Sequence, residues 1–246
     1  MGKTIILLAG YPATGKSYFC NKIREQYPQF RVISQDAIKE RLWDEYGFDS
    51  VEEKTALEMQ SWEMFYEKMN RQMKEGEHLI SAYPFSEKQR RRLGTIAEKN
   101  GYQVITIRLT GDIDVLYERS RKRDLSPSRH LGHLMAHYHK GDVLEDRERA
   151  DMLVTYDIFR QRCLDRGYDK FELGHLIEVD VTNYDKIDYP GILGRVGEIM
   201  GEGAHRPENR ALKKSVRMCR CDKESGSFAA GKTQNSIDVS YRFRVK

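Results

Sequence analysis

The chain has 246 residues, 39% apolar and 33% charged, enough for one sizeable α/β domain or two small ones with a real core beneath a heavily ionic surface. The net charge of +4 is uneven: residues 203–246 hold eleven Lys and Arg against four acids, which leaves the body up to residue 202 mildly acidic. No apolar run approaches the ~20 residues of a membrane helix, the opening MGKTII lacks a signal-peptide core, and Cys20, Cys163, Cys219 and Cys221 make no disulfide framework, so a reducing, cytoplasmic setting is expected.

In chain order, TIILLAG (4–10) reads as a buried strand and KSYFCNKIREQY (16–27) as a helix. RVISQD (31–36) reads as a second strand, and AIKERLWDEYG as a short helix closed by Gly47. A long helix is predicted from about Val51 to Glu75, with Leu57, Trp62, Phe65, Tyr66 and Met69 at helical spacing and Gly76 as its stop. HLISAY (78–83) is a third strand, and Ser86 with Gln89 forms a capping box for a helix ending at Gly101. QVITIRL (103–109) is a fourth strand, and Asp112 opens a helix through Arg123. The charged, amphipathic stretch 144–167 reads as a scaffold helix rather than a site. HLIEVDV (175–181) is a fifth strand, followed by a helix near 188–200. Strands alternating with helices imply parallel pairing with right-handed crossovers.

Between the first strand and first helix lies Gly10-Tyr-Pro-Ala-Thr-Gly15-Lys16-Ser17, which fits G-x-x-x-x-G-K-[ST]. Glycines let backbone N–H groups form a concave nest, and the next helix adds its positive dipole end. Lys16 is expected at the β- and γ-phosphates and Ser17 on Mg²⁺. Gly10, Ala13, Thr14, Gly15, Lys16, Ser17 and Tyr18 are thus the expected nucleotide contacts, with ATP and Mg²⁺ as the cofactors. Asp36 follows the second strand, where the phosphate crevice of a parallel sheet opens. A carboxylate there can take a proton from an attacking hydroxyl or help hold Mg²⁺, and it can also N-cap the next helix.

The series of phosphate loop, Asp36-x-x-Lys39, Ser86-x-x-x-Arg90-x-x-Leu93 and ERSRKR (118–123) resembles the P-loop kinases of the polynucleotide-kinase and zeta-toxin type over about residues 1–200. These are AAA-type ATP-binding relatives of the shikimate and gluconate kinases. The resemblance implies an α/β P-loop NTPase fold: a five-stranded parallel sheet, helices on both faces, and a helical lid over about residues 119–142. The kinase domain would span residues 1–202, with residues 203–246 a basic, poorly ordered tail. The resemblance also implies that Asp36 is the general base and that Lys39 meets the substrate. Arg119, Arg121 and Arg123 match the lid segment; 119 and 123 share a helix face, so these two are expected to clamp the transferring phosphate. The family commonly ends its third strand with an Asp that organises Mg²⁺; that position is Ser81, so the metal shell is expected to lean on Ser17, Asp36 and the phosphates. Thr182 and Asn183, after the fifth strand, match a loop that packs on adenine.

Four of the seven histidines (His130, His133, His137, His139) follow the lid arginines. They read as donors with Arg129 to phosphate or substrate, as half-exposed helical residues, or as metal ligands of poor spacing. The acceptor pocket is expected along 39–66, where Trp43 and Tyr46 either stack on a base or sugar or belong to the core. The function expected is ATP-dependent transfer of the γ-phosphate to a hydroxyl on a small metabolite, a nucleoside or a nucleic-acid end. The acidic body disfavours long nucleic acid as partner, although the basic tail could attract it. The alternative is a nucleotide-dependent ATPase or switch that binds a partner and transfers nothing. Oligomeric state is not encoded in any feature of the sequence.

Overall fold

The computed structural model describes residues 2–201. The expectations for the tail, Cys219 and Cys221 included, lie outside the described residues. Five parallel strands form one sheet: β1 (Thr4–Gly10), β2 (Arg31–Val32), β3 (Leu79–Ala82), β4 (Gln103–Thr110) and β5 (His175–Asp180), in the order β2-β3-β1-β4-β5. Helices α1 (Lys16–Gln26), α2 (Gln35–Tyr46), α3 (Val51–Lys74), α4 (Glu87–Lys99), α5 (Ile113–Asp124), α6 (Tyr156–Asp165) and α7 (Tyr189–Met200) complete the described chain.

β1 is buried along its whole length, as a central parallel strand must be. Its alternating side chains feed two cores. Ile6 and Leu8 join Phe19, Ile23, Leu116, Phe159 and Val196, from α1, α5, α6 and α7, on one face. Ile5, Leu7 and Ala9 join Ile38, Phe65, Met69 and Leu93, from α2, α3 and α4, on the other. The chain leaves β1 toward β2 and β3 on one side and returns to β4 on the other. The cleft therefore opens at the carboxyl ends of the central strands, where parallel sheets hold ligands. Among the described residues, no helix is long and apolar enough to cross a membrane.

Two predicted elements change. The second strand is only Arg31–Val32, with Ile33 N still bonded to Ile80 O at 3.0 Å. Ser34, not Asp36, caps α2, accepting from Ala37 N at 3.1 Å. A hydroxyl at the N-cap outcompetes extended backbone, so the helix begins two residues early and Asp36 falls in its first turn. The predicted helix over 144–167 exists only as α6, because Thr155 caps a fresh start and residues 125–155 are irregular apart from short 3₁₀ turns at Leu131–His133 and Arg147–Arg149. Beyond α5, then, the predicted lid is a strap rather than a helix. It is held down by a satellite cluster of Trp43, Phe48, Leu131 and Tyr138 and by a pair of 2.8 Å backbone bonds between Phe48 and Tyr138.

Candidate active site

The phosphate loop departs from β1 at Gly10, whose φ of 101° puts any side chain 1.8 Å from Leu109 O. Only glycine fits that close approach. Ala13 is the one non-glycine among the described residues with positive φ, at 61°, and Gly15 follows at 80°. Gly15 caps α1 without a side-chain acceptor, and the first turn of α1 carries no acid. The opening N–H groups of α1 thus have no protein side chain to satisfy them, as an anion site requires. Lys16 Nζ folds over the loop, donating to Gly10 O at 3.3 Å, to Thr14 Oγ1 at 3.1 Å and to Tyr11 O. Burial, helped by nearby Arg123, lowers its pKa to about 7, against the pull of Asp36 and Cys163. Tyr11 packs against the core, and burial together with the charge of Asp169, in the segment before β5, raises the pKa of its hydroxyl.

Across a cleft of about 580 Å³ stands Asp36. Burial pushes its carboxyl up, but Lys39, His133 and Arg129 together outweigh burial and hold the pKa at about 2. Lys39 Nζ sits 2.9 Å from Asp36 Oδ1, one helical turn on, while 40% of the Asp36 side chain stays open to the cleft. His133 Nε2–H donates to the Glu40 carboxylate at 2.7 Å; burial, Lys39 and Arg129 lower its pKa to about 4 despite that pairing, so the imidazole is neutral at pH 7. Tyr83, from the end of β3, closes this wall, its hydroxyl pKa raised by burial and by the Asp36 charge.

Arg119 and Arg123 both line the cleft, whereas Arg121 turns to Glu148 at 3.1 Å. Arg119 donates to Val181 O at 2.7 Å and Thr182 O at 2.8 Å, and lies 3.9 Å over the Tyr184 ring. Arg123 pairs with buried Asp124 at 2.8 Å. Arg129 also lines the cleft. Beside the phosphate loop a second, more apolar cavity of about 530 Å³ is walled by Gly15, Tyr18, Val181, Tyr184, Ile187 and Tyr189. Thr182 and Asn183 spend their side chains on the turn: Thr182 Oγ1 accepts from Asp112 N at 2.9 Å and Asn183 Oδ1 from Asp185 N at 2.9 Å. Their neighbours face the cavity.

Trp43 is not a substrate platform. It is fully buried and belongs to the satellite core. Exposed Tyr46 does not line the cleft either; of the stretch 39–66, only Lys39 does. An α-helix turns its a-face inward, so Lys39 and Trp43, one turn apart, continue the same buried ridge. Ser81 is fully buried with its Oγ unbonded; the β3 end facing the cleft is Ala82, Tyr83 and Pro84, with no carboxylate. The histidines are dispersed among separate carboxylates: His130 on Asp44 at 3.2 Å, His139 on Asp49 at 2.9 Å and His137 on Asp151 at 3.9 Å. Among the described residues, no three His, Cys, Asp or Glu side chains converge on a metal position.

Sequence reasoning missed Arg162, Arg166, Tyr168 and Tyr83, all on the cleft wall. Arg162 and Arg166 lie four apart, so α6 and its end present them on one face; that spacing was the available signal.

Among solved structures, the chain resembles a candidate kinase from Chloroflexus aurantiacus j-10-fl, with 25% identity and a TM-score of 0.62 over 80% of this chain and 98% of that one. It also resembles a gluconokinase from Sinorhizobium meliloti 1021 (14% identity, TM-score 0.47, 83% and 98% covered) and a shikimate kinase from Bacteroides thetaiotaomicron (17%, 0.46, 80% and 98%). No curated protein matches it. Its match to a known family runs from residue 5 to residue 139, over the phosphate loop, Asp36 and the α5 arginines, and on that match the chain belongs to the AAA domain family AAA_33.

Proposed function

We propose that the protein is an ATP-dependent phosphotransferase that moves the γ-phosphate to a hydroxyl of a small acceptor. The observation that carries this reading is the shared cleft: an ionised carboxylate, Asp36, faces the Lys16 cradle with Arg119 and Arg123 beside them. The solved candidate kinase from Chloroflexus supports it.

The apolar cavity beside Tyr18, Tyr184 and Tyr189 suits the adenine, and the loop N–H groups and Lys16 suit the phosphates. When bound, Mg²⁺ would neutralise phosphate charge, and the residues present fit it: the Ser17 hydroxyl at the first turn of α1 and the Asp36 carboxylate both line the cleft, with water completing the shell. With a pKa of about 2, Asp36 is a weak base. It orients the acceptor by accepting its O–H and receives the proton as the new bond forms, when the hydroxyl becomes strongly acidic. The bond from acceptor oxygen to phosphorus forms, the bond from phosphorus to the β,γ-bridging oxygen breaks, and ADP leaves. Arg119 and Arg123 supply fixed positive charge to the transferring group.

Incubation of the purified chain with γ-labelled ATP, Mg²⁺ and a panel of hydroxyl acceptors tests this. Label on an acceptor, lost in Asp36→Ala, is the expected result. Label released only into water, at a rate that Asp36→Ala leaves unchanged, would sink the reading in favour of an ATPase or switch.

A further inference from the structure

The cleft holds far more positive charge than a nucleotide alone accounts for. Lys39 is matched by Asp36, Arg119 by two carbonyls and the Tyr184 ring, and Arg123 by Asp124 at 2.8 Å. Lys16, Arg119 and Arg123, with the α1 N-terminus, are the groups placed for the triphosphate. Arg129, Arg162 and Arg166 are left over, and of these Arg129 and Arg166 feel Asp36 or share a neighbour with it. The Arg129 side chain is only 20% exposed and its Nε stands 3.4 Å from Asp124, a carboxylate that Arg123 already occupies. That Nε is buried and makes no hydrogen bond. Arg166 donates to the Tyr168 hydroxyl at 3.3 Å and has no carboxylate within ion-pair distance among the described residues.

Both line the cleft together with Asp36. Arg129 feels the charges of Asp36 and Glu40; Arg166 and Asp36 both act on Tyr83. Arg129 is pressed by the charge of Arg123, and guanidinium groups brought together without enough anions repel each other and lose hydration, a cost that an anionic ligand reverses. Arg rather than Lys at both positions suits paired hydrogen bonds to two oxygens of a carboxylate or phosphate. Arg166 and Tyr168 lie beyond residues 5–139, the part matched to the family, whereas Arg129 lies within it.

We propose that the acceptor carries a carboxylate or phosphate of its own, gripped by Arg129 and Arg166 while its hydroxyl faces Asp36. This rests on the phosphotransfer reading and adds the class of acceptor to it.

The test is calorimetric titration of the full chain, saturated with Mg²⁺ and the non-transferable analogue AMP-PNP. The titrants are inorganic phosphate, tartrate and the uncharged polyol erythritol. At least one of the two anions is expected to bind the nucleotide-loaded protein, with erythritol at least about tenfold weaker. The tighter of phosphate and tartrate tells a phosphate ester from a carboxylate. Arg166→Gln and Arg129→Gln should each weaken that anion about tenfold or more, while Arg121→Gln, which removes a charge outside the cleft, should not. The inference is overturned if neither anion binds, if both cleft substitutions leave anion affinity intact, or if they weaken AMP-PNP instead, which would assign the arginines to the donor. A wild-type chain that binds no AMP-PNP would overturn the phosphotransfer reading itself, before any anion is added.

Discussion

The two walls of the cleft are built in opposite ways. On the proposed reading, the donor wall centres on one continuous stretch, residues 10–17, with Arg119 and Arg123 beside it, and that stretch is shaped by backbone: positive φ at Gly10, Ala13 and Gly15, then a helix start without a side-chain cap. The acceptor wall is gathered from four distant pieces: Asp36 and Lys39 on α2, Tyr83 after β3, Arg129 and His133 in the strap, and Arg166 with Tyr168 past α6. A wall made of local backbone depends on a few irreplaceable positions. A wall assembled from side chains depends on whatever holds its pieces together, and here that is the Trp43 cluster and the bonds from the strap to α2.

The largest effect that would break the contrast lies on the donor side. Lys16→Ala should lower transfer by about 10²–10³-fold and weaken nucleotide binding together, measured by steady-state kinetics and titration with AMP-PNP. Retained nucleotide affinity would mean that the loop binds through backbone alone. Trp43→Ala comes next. As a core residue it should cost about 3–5 kcal/mol in chemical denaturation; a lost substrate contact with unchanged stability would restore Trp43 to the site.

Smaller effects separate the walls by pH. The unfolded His133 imidazole takes up a proton below 6.5, while the native one refuses it until about pH 4. The unfolded state therefore binds more protons in that window, so stability should fall as pH drops from 6.5 toward 4. His133→Gln should flatten that slope in urea titrations; an unaltered slope would place the titration elsewhere. On the donor wall, Lys16 with a pKa of about 7 is largely neutral at pH 8. Phosphate favours its charged form, so nucleotide binding at pH 8 should take up close to one proton. Calorimetry in buffers of different ionisation enthalpy would show this, and heats independent of buffer would contradict it.

The same contrast explains what was legible in the sequence. The five strands and their order of appearance follow from apolar runs between helices, and the phosphate loop from spacing within eight residues. Ser34 displaced Asp36 as the cap because both are good caps and only one position can serve. Trp43 was ambiguous because an aromatic on a helix face packs equally well on core or ligand, and two of its partners, Leu131 and Tyr138, are remote in sequence. Arg166 and Tyr168 escaped notice because a charged stretch that folds as turn, strap and short helix looks, by periodicity, like one long solvated helix.

The most direct test of the central claim is Asp36→Asn, with nucleotide binding and acceptor phosphorylation measured on the same preparation. The account predicts AMP-PNP affinity, measured without Mg²⁺, close to that of the unaltered chain and Mg²⁺-dependent phosphotransfer lower by about 10²–10⁴-fold. Phosphotransfer that survives the substitution, or nucleotide affinity that collapses with it, would contradict the assignment of Asp36 to the acceptor wall.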